Sequence, residues 1–205
     1  MKYLALFISI AVAISAGCNN STEGLDNPSS SAANSDSSAP ANDSAGFKFS
    51  AENAMIAFKG SKPDGSSHVG GFKSFSGSID LDETSGTVSS IHVSIDTDSL
   101  FSDAERLTGH LKNVDFFNVN EFPTAEFVST SVTAADGQHT IKGNLTLLGK
   151  TAEIEFPATI STEAGKVTLE SQFSLDRTKF GMTYGTEKNE INPNVDMTIA
   201  VGRTE

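Results

Sequence analysis

From residue 46 onward, apolar side chains recur at every second position, and this alternation constrains the fold more than any other feature of the sequence. Ile91, Val93 and Ile95, for example, are separated by single polar residues. Successive side chains of an extended strand point to opposite faces, so the pattern is typical of strands with one buried and one solvated face. Because such runs recur along the chain, we predict about eight strands.

Short turn signals separate the predicted strands. Residues 83–86 read Glu-Thr-Ser-Gly, residues 135–137 read Ala-Asp-Gly and residues 163–165 read Glu-Ala-Gly. Strands joined by turns this short pair antiparallel, because a parallel pair needs a long crossover connection. We therefore predict an all-β domain over residues 46–205, a single antiparallel β-barrel, and we exclude an α/β fold.

One segment breaks the alternation and predicts a short helix followed by an aromatic loop. Residues 102–105 have the Ser-x-x-Glu form of a capping box, and Leu107 and Leu111 lie four positions apart on one helical face. We predict a helix roughly over residues 103–113. The stretch 115–123 then contains three phenylalanines, which we expect to be buried against the barrel.

The inward positions of the predicted barrel mix large and small residues. Gly77, Gly143, Ala158 and Ser171 stand at positions that alternate with outward polar residues, as the phenylalanines do. A closed barrel of about eight strands is just wide enough for its own side chains or for one small ligand. The mixture predicts either an elongated cavity or a tapered, filled core.

The N-terminal residues have the pattern of a targeting segment. Residues 1–17 combine a basic start with an uncharged apolar run, as in a secretory signal peptide. Ala16 and Gly17 precede the chain's single cysteine, Cys18, and resemble a bacterial lipobox, which predicts lipidation of Cys18. The alternative is that Cys18 merely follows an ordinary cleavage site. Residues 18–45, rich in Ser, Asn and Ala, predict a disordered tether.

Composition excludes several classes of function. The chain has 26 acidic and 14 basic residues and no basic block, so we predict no nucleic-acid partner. It contains neither a Gly-x-Ser-x-Gly nor a His-Glu-x-x-His motif, and its four histidines lack metal-ligand spacing. We therefore predict no enzyme and no metal site. A metal-dependent pocket containing His68 and His110 is the best enzymatic alternative.

A series of motifs in the middle of the domain carries a family resemblance. Ser99-Leu100 is followed by His110-Leu111-Lys112, then by Asp115-Phe116-Phe117 and Phe122-Pro123. Arg177-Thr178-Lys179-Phe180-Gly181 matches further along the chain. In their order and spacing these motifs resemble the YceI family of lipocalin-like, polyisoprenoid-binding proteins of bacterial envelopes. Phe122 stands where the family commonly has tyrosine, and Phe58 where it often has tryptophan.

The resemblance implies a lipocalin-like barrel that binds, sequesters or carries a long-chain isoprenoid lipid of the polyprenyl or quinone type, with no other cofactor. It also implies a periplasm-facing protein of the cell envelope. The lipobox-like residues predict that acylated Cys18 holds the protein in a membrane, and Asn19 favours the outer membrane if enteric sorting rules apply. We expect apolar residues to line or close the ligand pocket. They are Phe72, Phe75, Leu100, Phe101, Leu107, Leu111, Phe116, Phe117, Phe122, Phe127 and Phe173.

Other interpretations stay open at this point. A structural or stress-related surface lipoprotein with a filled core is the alternative function. Arg177 either contacts a polar lipid head group or pairs with a surface carboxylate. His110, beside Leu107 and Leu111, is predicted to fix the short helix to the barrel through a hydrogen bond.

Overall fold

A curled antiparallel sheet of eleven strands forms the domain in a computed structural model that describes residues 46–163 and 166–202. The predicted signal peptide, lipidation site and tether lie outside these residues. The strands are β1 Phe47–Ser50, β2 Ala54–Ser61, β3 Ser67–Phe72, β4 Phe75–Leu81, β5 Val88–Asp96, β6 Leu100–Ser102, β7 Thr124–Ala135, β8 Gln138–Leu147, β9 Lys150–Glu163, β10 Lys166–Asp176 and β11 Asn194–Val201.

The strands pair in the order β1-β4-β5-β7-β8-β9-β10-β11-β2-β3-β6, and every pair is antiparallel. The all-β prediction is confirmed. Most neighbours in the sheet are also consecutive in the chain, as the short turn signals predicted. The tight turn between β1 and β2 joins strands at distant positions of the sheet and so curls it upon itself.

The predicted count of about eight strands is wrong for two physical reasons. Residues 47–58, which alternate as one run, are divided by a turn in which the backbone N–H of Asn53 donates to the carbonyl of Ser50 at 3.1 Å. In addition, β6 has only three residues, and β3 contains two successive glycines, Gly70 and Gly71. Neither segment is long or regular enough to show the alternation of apolar and polar residues by which strands were counted in the sequence.

The helix α1, Glu105–Leu111, is the one α-helix of the described residues and is shorter than predicted. The capping-box prediction is wrong, because Ala104 is the N-cap and makes no side-chain cap. The Ser102 hydroxyl instead donates to the carbonyl of Ala104 at 2.8 Å and contacts the Thr108 hydroxyl at 2.9 Å. Among the described residues, none of the helical segments has the length and apolar composition that a membrane span requires.

Two long loops leave strands β5 and β10 in the same manner. Each strand ends at an aspartate, Asp96 or Asp176, whose carboxylate accepts the N–H two residues later and caps a short 3₁₀ turn. The intervening residue donates its backbone N–H to a proline carbonyl, Thr97 to Pro123 at 2.9 Å and Arg177 to Pro193 at 3.1 Å. We call residues 97–123 the helical loop and residues 177–193 the arginine loop. The alternating strand directions place both at the same end of the barrel.

Candidate ligand-binding cavity

A cavity of about 200 Å³ lies inside the barrel at the end covered by the two loops. Its walls come from strands around the barrel and from both loops, and we call it the outer cavity. The strands contribute Ile56, Phe58, Gly60, Ser61, Ser67, His68, Phe72, Ile95, Ala125, Leu145, Leu147, Leu175, Val195 and Met197. The loops contribute Leu107, Leu111, Phe116, Phe117, Arg177, Met182 and Ile191.

The outer cavity reaches the surface beside the turn between β2 and β3. Lys62 and Ser66 of this turn, with Ser67 and His68 of β3, line the cavity and are solvent-exposed. A molecule can therefore meet polar groups at the entrance before it meets hydrocarbon. This arrangement suits a ligand that has one polar end and one apolar end.

A second cavity of about 90 Å³, the inner cavity, lies deeper in the barrel. Its lining is apolar throughout. It consists of Phe49, Ile56, Ile79, Ile91, Val93, Ile95, Phe127, Ile141, Leu145, Ile154, Phe156, Leu169, Phe173, Leu175, Met197, Ile199 and Val201. Phe156 and Phe173 stack in parallel within it, with ring centroids 4.4 Å apart. No side chain in this lining carries a hydrogen-bond donor.

The two cavities lie end to end, because successive inward positions of one strand pass from one to the other. Along β11, Val195 lines the outer cavity, Met197 lines both and Ile199 lines the inner one. Just past the end of β10, Arg177 lines the outer cavity, and within β10 Leu175 lines both cavities and Phe173 lines the inner one. Ile56, Ile95, Leu145, Leu175 and Met197 line both cavities, and we call these residues the waist.

Glycines opposite phenylalanines make room for the flat rings that form the cavity walls. Phe58 of β2 pairs with Gly70 of β3, and a Cβ atom on Gly70 would overlap the Phe58 ring. Phe127 covers Gly143 in the same way on β7 and β8. Of the small inward residues noted in the sequence, Gly77 and Gly143 thus lie beneath the rings of Phe49 and Phe127.

Arg177 is a charged residue in the wall of the outer cavity, and only 3% of it is exposed. Its guanidinium donates to the carbonyls of Met182 at 2.7 Å, Tyr184 at 2.9 Å and Asn192 at 3.2 Å. Burial lowers the pKa of Arg177, and the charge of Asp176 opposes that effect. Of the two alternatives for Arg177, pairing with a surface carboxylate is not found, since Arg177 makes no ion pair among the described residues.

His110 connects the two loops by ring contacts. Its Nε2 atom lies 2.8 Å from a carboxylate oxygen of Asp115, in the same loop, so the predicted hydrogen bond from helix to barrel is wrong. The imidazole meets the rings of Phe116 and Tyr184 edge-on, each at a centroid distance of 5.1 Å. Phe116 and Tyr184 also contact each other, at 5.2 Å. These contacts join the helical loop to the arginine loop above the cavity.

The predicted ligand contacts fall into three groups in the structure. Phe72, Leu107, Leu111, Phe116 and Phe117 line the outer cavity. Phe127 and Phe173 line the inner cavity. Phe75, Leu100, Phe101 and Phe122 line neither. As ligand contacts, all of these residues stay predictions.

The four residues away from the cavities have structural surroundings of their own. Phe75 and Leu100 are buried in the core. Phe101 is 39% exposed, and the Lys73 ammonium lies 5.5 Å from its ring centroid. Phe122 packs against the backbone of Gly149.

Sequence reasoning missed most aliphatic residues of the cavities, including the waist. Leu145, Leu175 and Met197 carry the same alternation signal as the chosen phenylalanines, so the pattern places them inward. Their depth along the barrel follows only from the register of the paired strands. The alternation in the sequence thus indicates that these side chains point into the barrel, but it does not indicate how deep along the barrel axis they lie.

The histidines of the enzymatic alternative are each paired with a carboxylate. His68 Nδ1 lies 2.8 Å from Asp103 Oδ1, and the backbone N–H of Val69 donates to Asp103 Oδ2 at 3.1 Å. The N–H of Val69, followed by the His68 side chain, lowers the pKa of Asp103. Within the described ranges, no group of three or more His, Cys, Asp or Glu is placed to hold a metal ion.

Together, the fold and the cavities define a lipocalin-like class of protein, a curled antiparallel barrel with an apolar interior open at one end. The sequence profile of the YceI-like domain matches residues 47–202. The chain belongs to this YceI-like family.

Known relatives agree with this assignment. Protein YceI of Salmonella arizonae and that of Salmonella newport are each 37% identical over 89 residues, which cover 43% of this chain and 47% of the relative. The chain thus spans about half the length of these relatives.

Two comparisons with solved structures concern the fold. BcnA of Burkholderia cenocepacia superposes with a TM-score of 0.66 at 20% identity, covering 74% of this chain and 96% of BcnA. A polyisoprenoid binding domain from Saccharophagus degradans superposes with a TM-score of 0.58 at 15% identity, covering 72% and 91%. At these identities the likeness establishes the fold.

Proposed function

We propose that this protein binds the tail of a long-chain isoprenoid lipid, of the polyprenyl or quinone type, inside the barrel. The observation that carries the proposal is the pair of apolar cavities, aligned end to end and open beside the β2–β3 turn. A prenyl tail is long, narrow and apolar, as this space is. The Saccharophagus degradans domain of the same fold is a polyisoprenoid binding domain, which supports the choice of ligand.

Hydrocarbon walls alone supply enough affinity for such a ligand. Each buried methylene contributes about 0.8 kcal/mol, so one five-carbon isoprene unit contributes roughly 3 to 4 kcal/mol. Ordering the tail and immobilising the lipid offset much of this gain. The outer cavity of about 200 Å³ greatly exceeds the roughly 10–15 Å³ that a single water molecule needs. The barrel therefore offers a tail a better environment than water does.

We further propose that the protein acts at the cell envelope as a non-catalytic binder, store or carrier. The signal-peptide pattern of residues 1–17 and the lipobox-like residues before Cys18 support this part of the proposal. Two acyl chains on Cys18 anchor a protein stably, where one chain is marginal. Mass spectrometry of the protein from native membranes would show the mass of an acylated N-terminal Cys18. An unmodified Cys18 would contradict the anchor.

Titration of the purified protein with a fluorescent polyprenyl lipid tests the central proposal. We expect saturable uptake by the wild type and much weaker uptake by Ala125→Leu, which adds bulk to the wall of the outer cavity. Val114→Ser changes a residue that is 76% exposed and is the matched control. Circular dichroism would verify that each variant is folded. Absence of saturable uptake by the wild type would contradict the proposal.

A further inference from the structure

The waist is the level of the barrel at which the two cavities of the proposed binding path meet. Its five members come from five strands, β2, β5, β8, β10 and β11, and so surround the barrel axis. They are Ile56, Ile95, Leu145, Leu175 and Met197. A tail that fills the outer cavity reaches these side chains before it reaches the inner one.

The waist side chains differ in how easily they move. Ile56 and Ile95 branch at Cβ, which restricts them at χ1. Met197 is unbranched and has several rotatable bonds, and methionine adapts readily to irregular space. It stands directly between its strand partners Phe58 of β2 and Phe173 of β10. Rotation of Met197 is therefore the least costly way to join the two cavities.

We propose that the waist selects the ligand by tail length, with Met197 as the side chain that determines the limit. This inference rests on the proposed function, since it concerns the same cavity. A short prenyl tail occupies the outer cavity and ends at the waist. A longer tail enters the inner cavity only after Met197 turns aside, so affinity stops rising with length once the outer cavity is full.

A ladder of prenyl alcohols, from geraniol through farnesol and geranylgeraniol to solanesol, tests this inference. Each alcohol would compete against a fluorescent polyprenyl lipid on the purified full-length protein. Met197→Ala removes the waist side chain, and Met182→Ala is its matched control because Met182 lines the outer cavity only. Leu145→Ala and Leu147→Ala form a second matched pair on β8, with Leu145 in the waist and Leu147 in the outer cavity.

We expect the affinity of the wild type to reach a plateau along the ladder. In Met197→Ala and Leu145→Ala the plateau should move to longer tails, with binding of those tails tightened by about tenfold or more, as expected from burial of a further isoprene unit. In Met182→Ala and Leu147→Ala the position of the plateau should stay unchanged. The difference between the waist variants and their controls distinguishes two cases. In one the substitution joins the two cavities, and in the other it only enlarges the outer cavity.

Two results would overturn the inference while leaving the proposed function intact. One is an unchanged plateau in both waist variants, and the other is an equal shift in the waist variants and their controls. Failure of every alcohol to bind the wild type would instead contradict the proposed function itself. If one waist variant does not fold, as judged by its thermal transition, the other matched pair decides the question.

Discussion

Arg177 illustrates how a charged side chain fits in the wall of an apolar barrel. Three carbonyl groups of the arginine loop accept its N–H groups, and its guanidinium carbon lies 5.9 Å from the centroid of the Phe116 ring. The side chain thus organises the loop that covers the outer cavity. A buried charge of this kind is tolerated because hydrogen bonds replace those it would make with water.

Arg177→Met should destabilise the folded protein by about 2 to 3 kcal/mol, because the buried carbonyl of Met182 loses its donor and the loop loses two further bonds. Urea unfolding followed by circular dichroism measures this change. Lys179→Met, at an exposed position of the same turn, should stay within about 0.5 kcal/mol of wild type. Equal stability of the two variants would contradict this role of Arg177.

Gly70→Ala should destabilise the protein by about 1 to 3 kcal/mol, because its Cβ would overlap both the Phe58 ring and the carbonyl oxygen of Phe101. Gly60→Ala is the matched control, since a Cβ there meets no atom within 4 Å. Thermal unfolding compares the two. If Gly70→Ala unfolds at a temperature as high as that of Gly60→Ala, the Phe58 ring moves aside at little cost, and the prediction is contradicted.

At the scale of elements, the two loops repeat one construction on different strands. Asp96 and Asp176 each cap a 3₁₀ turn, and a buried polar residue follows each of them, Thr97 or Arg177. Thr97 donates its hydroxyl to the carbonyl of Phe122 at 2.7 Å, while Arg177 bonds three carbonyls of its own loop. Both loops are thus fixed at their bases, and their rings meet at His110 and Tyr184.

Stability should depend on pH through Asp176. Hydrogen bonding from the Thr178 hydroxyl is the main cause that lowers the pKa of Asp176, with burial opposing it and the Thr178 N–H adding to it. A carboxyl whose pKa is lower in the folded state stabilises above its unfolded value of about 3.9, and the contribution is lost as pH falls through the folded value.

Asp176→Asn should therefore lower stability by about 1 kcal/mol at pH 7, and the difference from wild type should shrink below about pH 4. Urea unfolding across this pH range measures the effect. Asp196→Asn, on the neighbouring strand β11, changes an exposed aspartate and is the control. A deficit in Asp176→Asn that persists unchanged at low pH would contradict the role of the charge.

Part of the element structure could be predicted from the sequence, and part could not. The alternation predicted strand type and inward faces, because side-chain direction along a strand has a fixed period. The start of α1 was not predictable from its capping pattern, because Ser102 is held in β6 and makes contacts with Ala104 and Thr108 instead. The hydrogen-bond partners of Arg177 could not be predicted, because they are backbone carbonyls. Every residue has a backbone carbonyl, so no residue type in the sequence marks these partners.

For the molecule as a whole, the family motifs and the alternation together were sufficient to predict the fold. They were not sufficient to predict the size and position of the cavities inside it. Whether a barrel is hollow depends on how side chains from many strands meet at one level. Leu145 and Met197, for example, share the waist although they lie far apart in the chain. Such a level is set by strand register, and register depends on pairings that local sequence does not contain.

The central claim is that the barrel holds an isoprenoid tail in its cell of origin. Native mass spectrometry of the protein isolated gently from its own membranes, with fragmentation of whatever lipid is released, tests this most directly. The account predicts one lipid per barrel, with fragments that differ by the mass of an isoprene unit. A straight-chain acyl lipid in that place, or a protein without lipid that also fails to load an added polyprenyl lipid, would contradict it.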